Sequence, residues 1–264
     1  MGKSDPVIET SSLSPSTSSS DPSTSTFRTI IANNSKLYNL SLLPLNSTTP
    51  LFHITNSSFT PHKPDITITS GTATGPVLGV IKLNALSSNV VALGDPAKTE
   101  QMQWERFQSM KDWTHSRYEF EFVDGETGER RIFTWRRTRQ RFWDDQPDME
   151  LCENVGVGAE KSGGEAELGE VLAVYKGCQG FFSRTRGKFH LRKGWRVKSV
   201  REVSGVGVEI DGGGEGGGEG GGDEKWGDWE VMVLLTGCGA IETARRRSRA
   251  RRGAGASSGG GGGG

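Results

Sequence analysis

One stretch decides the fold of this chain: Trp229-Glu-Val-Met-Val-Leu-Leu-Thr-Gly-Cys-Gly-Ala-Ile241, which leads almost directly into Arg245-Arg-Arg-Ser-Arg-Ala-Arg-Arg252. An apolar segment with a basic flank has two common origins. It is either a membrane anchor with a basic cytoplasmic side, or a helix buried in a protein core and followed by a basic tail.

The length of the apolar segment separates these interpretations. From Val231 to Ile241, about eleven residues carry no charge, which is roughly 16 Å of helix against the ~30 Å of a hydrocarbon core. Acidic residues limit the segment at both ends, and it is apolar on nearly every side. We therefore predict a buried core helix and no transmembrane span. The core-filling side chains would be Trp229, Val231, Met232, Leu234, Leu235, Cys238 and Ile241.

Much of the chain lacks the side chains that build a core. Glycine accounts for 38 of 264 residues, well above the ~7% average, and two glycine tracts hold much of the excess. The N-terminal region is rich in Ser, Thr and Pro and has no apolar periodicity. We predict disorder at residues 1–28, at an insertion of about 211–224 and at a tail of 250–264, with one folded domain over 29–249.

Charge and cysteine content exclude several classes of protein. The formal net charge is zero, so the whole molecule is not a general polyanion binder, although basic residues are clustered locally. Three widely spaced cysteines, Cys152, Cys178 and Cys238, predict neither a disulfide framework nor a metal site. Residues 1–20 lack the apolar region of a signal peptide, so we expect the protein in the cytoplasm, at the membrane periphery or in the nucleus.

Short alternating segments predict an all-β protein. Tyr118-Glu-Phe-Glu-Phe-Val123 alternates aromatic and acidic residues, and after a turn at Asp124-Gly125 the chain resumes as Arg131-Ile-Phe-Thr-Trp135, which predicts a hairpin. Similar segments, including Trp195–Val200 and Gly205–Ile210, bring the expected total to roughly ten to twelve strands with a single helix.

The predicted helix selects the type of β fold. A sandwich of two sheets packed ~10 Å apart has no space for a helix that is apolar all round. A closed antiparallel barrel of about twelve strands has an interior that such a helix can fill. Gly237 and Gly239 would allow the strand side chains to approach it closely. The predicted fold is mainly β, a closed antiparallel barrel around a buried apolar C-terminal helix.

This arrangement resembles the tubby C-terminal domain superfamily, which includes LURP-one-related proteins and phospholipid scramblases, and the chain is similar to a fungal branch of it. The resemblance rests on the strand pair above with Phe133-Thr-Trp-Arg-Arg-Thr138, on Ala173-Val-Tyr175 and Gly187-Lys-Phe-His-Leu191, and on the terminal helix with Glu242 and Arg245–Arg247. It implies binding of phosphoinositide headgroups. The acidic calcium-binding segment of scramblases has no counterpart beside the helix, so that activity is not carried over.

Enzymatic motifs are absent from the sequence. There is no G-x-S-x-G nucleophile motif and no complete phosphate or dinucleotide loop, and the four histidines are far apart. We therefore expect no enzyme activity, no catalytic residue and no cofactor.

Two arginine clusters are the candidate functional residues. The first, Arg136, Arg137 and Arg139, lies among aromatic residues at a predicted strand end, where the alternative is that the arginines cover aromatic faces. The second comprises Arg245, Arg246, Arg247, Arg249, Arg251 and Arg252. The first three of these complement the dipole of the preceding helix, and the others exceed that need.

These clusters predict a monomeric, non-enzymatic protein that binds an anionic phospholipid surface or acts as an adaptor for a protein partner. The alternative is a nuclear protein that uses the C-terminal arginines for import or nucleic-acid contact, although nucleic acid is the less expected ligand.

Overall fold

We describe the protein from a computed structural model. The structure describes residues 26–35, 39–57, 63–84, 88–110, 117–138, 148–155, 168–178, 184–207, 210–211 and 225–256, and for residues 101, 211, 225 and 251–256 it describes the backbone alone. The predictions of disorder at residues 1–28, at about 211–224 and at 250–264 therefore fall mostly outside the described residues. Within them, residues 27, 28 and 211 belong to strands and residues 250–256 to a helix.

Twelve antiparallel strands form a closed barrel, in which each strand pairs with the next along the chain and the last pairs with the first. This confirms the predicted fold class. The strands are β1 (Phe27–Asn34), β2 (Leu40–Pro44), β3 (Phe52–Asn56), β4 (Ile66–Ser70), β5 (Val77–Lys82), β6 (Asn89–Leu93), β7 (Gln103–Ser109), β8 (Arg117–Val123), β9 (Arg130–Arg137), β10 (Met149–Asn154), β11 (Leu168–Gly177) and β12 (Thr185–Arg192).

The predicted hairpin is formed by β8 and β9. Their ladder runs from Arg117 opposite Arg136 to Val123 opposite Arg130. The aromatic residues of β8 are fully buried and its glutamates are only partly buried, because successive side chains of a strand point to opposite faces. Gly128 in the turn has a φ of 73°, which a residue without a Cβ adopts at no steric cost.

A C-terminal helix, α2 (Asp228–Ala256), fills the barrel with its apolar half. Every residue from Asp228 to Ile241 is buried. The helix contacts strands on different sides of the barrel: Trp135 Nε1 of β9 donates a hydrogen bond to Thr236 Oγ1 at 3.1 Å, and Leu235 packs against Gly79 of β5. The predicted buried apolar helix is therefore confirmed. Among the described residues, no helix is long and apolar enough to span a membrane.

Aromatic packing fixes the first turn of α2. The Trp229 ring lies 4.7 Å from the Phe133 ring and 4.8 Å from the Trp195 ring, measured between centroids. Along β9, Trp135 follows Phe133 by two residues. Along α2, Thr236 follows Trp229 by seven residues. Phe133 contacts Trp229, and Trp135 is hydrogen-bonded to Thr236. Helix α2 and strand β9 therefore run in the same direction, and both end at the same end of the barrel, which we call the exit end.

Two predicted strands are wrong. The stretch Trp195–Val200 is not a strand; it runs to Ser199, which caps a short helix, α1 (Val200–Val203). The Ser199 hydroxyl accepts from the Glu202 amide at 3.0 Å, and the Glu202 carboxylate accepts from the Ser199 amide at 2.8 Å. This capping box stabilises a helical turn that alternation alone does not indicate. The prediction of a single helix is therefore also wrong.

The second wrong strand is Gly205–Ile210, of which residues 205–207 and 210 are described. Gly205 has a φ of 76°, a left-handed conformation that no strand residue adopts. Among the described residues of this region, β13 (Ile210–Asp211) is extended and pairs with β14 (Lys225–Trp226). A third short element, a 3-10 helix at Thr99–Gln101, precedes β7.

Candidate functional site

The basic C-terminal half of α2 begins where the helix leaves the barrel, and its first arginine is buried. Arg245 is only 8% exposed, and its Nη1 lies 3.5 Å from Oε2 of Glu242, one helical turn earlier. Glu242 is itself 2% exposed. A buried guanidinium needs such a carboxylate, since an unpaired charge in the interior is strongly unfavourable.

The second arginine of the run attaches the helix to the barrel wall. Arg246 Nη1 donates to Asp65 Oδ1 at 2.8 Å, and its Nε donates to Glu242 Oε1 at 3.2 Å. Asp65 immediately precedes β4, and its Oδ2 accepts from the Leu83 amide at 2.9 Å. Arg245 and Arg246 therefore have structural contacts that hold the helix in place.

The following arginines lie further from the barrel. Arg247 is partly exposed and Arg249 is exposed. Arg251 and Arg252 belong to α2, which continues to Ala256, but their side chains lie outside the described residues. The arginine run thus lies on a helix that extends beyond the exit end of the barrel. Arg247 is the first arginine of the run after the two that form the ion pairs described above, and the charge that a ligand can reach begins there.

The other predicted cluster, Arg136, Arg137 and Arg139, lies partly at the same end of the molecule. Arg137, the last residue of β9, faces inward like Trp135, and its charge acts on the buried Tyr118, whose pKa is raised to about 12 by burial. Arg136 faces the other way and pairs with Glu150 of β10 at 3.1 Å. Arg139 lies outside the described residues. Elsewhere in the described residues, the Arg28 guanidinium lies 4.0 Å from the centre of the Trp226 ring and that of Arg131 lies 5.5 Å from the Trp195 ring.

Sequence reasoning missed one basic residue of the exit end. Arg186, at the start of β12, lines a small cavity of about 20 Å³ together with Tyr175, Glu242 and Arg245. That volume holds about one water molecule and no phosphate group. The Tyr175 hydroxyl donates to the Arg186 carbonyl oxygen at 3.2 Å. In the sequence, the only signal for a role of Arg186 at this end of the barrel is its position at the start of a strand. The residues around it in space, such as Glu242 and Arg245, are distant in sequence.

The described titratable groups do not converge on a catalytic or metal centre. No group of three His, Cys, Asp or Glu side chains lies within metal-binding distance in the described part of the chain. His53 and His190 lie on different strands, and burial lowers the pKa of each imidazole. Burial raises the pKa of the Cys238 thiol to about 12, which keeps it protonated. His62 and His115 lie outside the described residues.

The exit end is thus the candidate site, built from a helix that leaves the barrel and from the strand ends around it. Arg245 and Arg246 hold the helix by ion pairs, and further along α2 Arg247 is partly exposed and Arg249 is exposed. No protein-family model, curated protein or solved structure matches the chain.

Proposed function

We propose that this is a non-enzymatic, tubby-like barrel protein that binds an anionic phospholipid surface, with phosphoinositide headgroups as its ligands. One observation carries the proposal: α2 leaves the barrel as a helix and continues through a run of six arginines. A basic segment held at one end of a rigid barrel can approach a charged surface without any rearrangement of the fold.

The arginines have different roles in this proposal. Arg245 and Arg246 form ion pairs within the protein, so they orient the helix rather than attract lipid. Arg247 and Arg249, with Arg251 and Arg252, supply the attraction, at ~1 kcal/mol for each basic residue near an anionic surface. Arg137 and Arg186 add positive charge at the same end of the barrel.

Liposome co-sedimentation of the full chain tests the proposal. Vesicles of phosphatidylcholine alone are compared with vesicles that also contain phosphatidylserine or a phosphoinositide, at low and at high salt. We expect binding to need the anionic lipid and to weaken with salt, because screening shortens the reach of surface charges. The double variant Arg247→Ala with Arg249→Ala removes two charges, and we expect its affinity to fall by about 30-fold.

A matched control is available at the opposite end of the barrel. Lys193 and Lys198 are exposed there, so the variant Lys193→Ala with Lys198→Ala has the same change in net charge. We expect it to bind like the wild type. Binding that depends on neither anionic lipid nor salt would refute the proposal, and equal losses in both double variants would show a general charge effect instead of a site.

The alternative, a nuclear protein, rests on the same arginine run. Replacing Arg247, Arg249, Arg251 and Arg252 by glutamine in a fluorescent fusion leaves the ion pairs of Arg245 and Arg246 intact, so the fold is expected to persist by circular dichroism. Loss of nuclear accumulation would support the import function. Loss of membrane recruitment, with an unchanged nuclear fraction, would support the lipid function.

A further inference from the structure

The barrel wall opens between β7 and β8. These strands each have seven residues, but their ladder has only three pairs, which end at Phe107 opposite Phe120. Beyond that pair, Gln103–Arg106 of β7 continue beside β6, and Glu121–Val123 of β8 continue beside β9. Both strands therefore have an edge in this region that the other does not cover.

A groove of about 360 Å³ lies at this opening. Its walls come from β7, the end of β8 and the segment around α1, and this volume is in the usual range of ~300–1,000 Å³ for ligand sites. The side chains that matter for binding are Met102, Gln103, Val123, Val200, Arg201 and Val206. The groove belongs to the end of the barrel opposite the exit end.

Two side chains of the groove, Arg201 and Gln103, have buried polar atoms without hydrogen-bond partners. Arg201 is 9% exposed. Its Nη1 lies 3.8 Å from Asp228 Oδ1, which is close enough for an ion pair but too far for a hydrogen bond. Neither Nη1 nor Nε of Arg201 has a hydrogen-bond partner. Gln103 donates from Nε2 to Glu105 at 3.0 Å, but its Oε1 is buried without a partner. Buried groups of this kind are normally satisfied, so the groove offers unsatisfied donors and an unsatisfied acceptor.

The rim of the groove is apolar, with one acidic residue at its mouth. Val200 and Val206 are 46% and 40% exposed, so both present apolar surface beside the groove. Glu100 is exposed at the mouth. Inside the groove, Glu105 is neutralised by Arg130, whose Nη1 lies 3.1 Å from Oε2. A carboxylate on a ligand would be repelled by the exposed Glu100, whereas a neutral carbonyl would not.

We propose that this groove binds an extended peptide segment of a partner protein, with alternating aliphatic side chains and a basic residue beside them. The peptide adds to the uncovered edge of β7, as peptides do in strand addition. A backbone carbonyl accepts from Arg201, and a backbone N–H donates to Gln103 Oε1. The aliphatic side chains cover Val200 and Val206, and the basic side chain pairs with Glu100.

Selection from a phage-displayed library of random seven-residue peptides on the full chain tests this proposal. We expect the enriched sequences to alternate Val, Ile or Leu with polar residues and to contain Lys or Arg. A fluorescein-labelled peptide of the consensus sequence then gives affinities by anisotropy. Val200→Glu puts a charge on the rim, and we expect it to weaken binding by tenfold or more.

The matched control lies on the same helix. Val203 is 54% exposed and does not line the groove, so Val203→Glu changes the charge of α1 equally, and we expect affinity within twofold of the wild type. Arg201→Met tests the buried donor, with a tenfold loss expected. Since that variant could be destabilised, amide hydrogen exchange of the wild type is measured as well, and the peptide should slow exchange at Gln103–Arg106.

Three results would overturn the proposal. One is a selection that enriches no consensus, and another is a consensus peptide that binds Val200→Glu as tightly as the wild type. The third is a wild-type dimer in sedimentation velocity that Val200→Glu converts to a monomer, because the groove would then hold a second copy of the chain.

Discussion

At the scale of single residues, neighbouring arginines of one run have different physical roles. Arg245 and Arg246 are held by Glu242 and Asp65, so their charge is compensated within the protein. Arg247 and Arg249 are more exposed. The arginines of this run therefore do not all have the same function. A variant that replaces all of them would lose stability as well as binding, and the two effects could not be separated.

Gly237 shows how closely α2 fits the barrel. A Cβ at this position would lie 2.7 Å from Phe189 Cε1 and 3.1 Å from Trp135 Cζ2, both on large rings of the core. We predict that Gly237→Val lowers the free energy of unfolding by about 2 kcal/mol, because overpacking exceeds the ~0.3 kcal/mol gained in helix propensity. Urea denaturation measures this. Ala250→Val, at an exposed position of the same helix, should change stability by about 0.5 kcal/mol or less.

At the scale of elements, the emergence of α2 from the barrel depends on one carboxylate that two arginines share. Glu242→Gln leaves the buried Arg245 without its anionic partner, and we predict a loss of about 3 kcal/mol in the free energy of unfolding. Glu170→Gln is the control, because Glu170 is 67% exposed in its pair with Arg192 and an exposed pair contributes about 0.5 kcal/mol. Similar losses in both variants, by urea denaturation, would contradict the structural role of Glu242.

Element prediction succeeded where the pattern is local. The hairpin of β8 and β9 follows from strict alternation, and α2 follows from a segment that is apolar all round. The strand β7 was not predicted. Its charged residue Glu105 is buried and its aromatic residue Trp104 is 48% exposed, which is the reverse of the pattern that indicates a strand with one apolar face. Element prediction also failed at Trp195–Val200, where a capping box stabilises a turn of helix.

At the scale of the whole molecule, the buried thiol of Cys238 reports on whether the barrel and α2 stay together. Cys238 is 4% exposed and the pKa of its thiol is raised to about 12, so it is protonated at neutral pH and enclosed by strands. We predict that alkylation of Cys238 by iodoacetamide at pH 8 is limited by global unfolding and accelerates with urea, as mass spectrometry of the labelled peptides would show. Rapid labelling of Cys238 in the absence of urea would mean that α2 leaves the barrel without unfolding it.

The sequence by itself determined the apolar helix, its burial and the β class, because hydrophobic periodicity and segment length are local properties of the chain. Only the tertiary structure decided which arginines form ion pairs, since Asp65 and Arg246 are 181 residues apart. It also decided that Arg137, Arg186 and Arg245 share one end of the barrel and that β7 and β8 separate at the other. The physical reason is that the sheet closes into a barrel. Closure places strands that are distant in sequence side by side, and ion pairs and uncovered strand edges depend on that placement, which no local sequence pattern encodes.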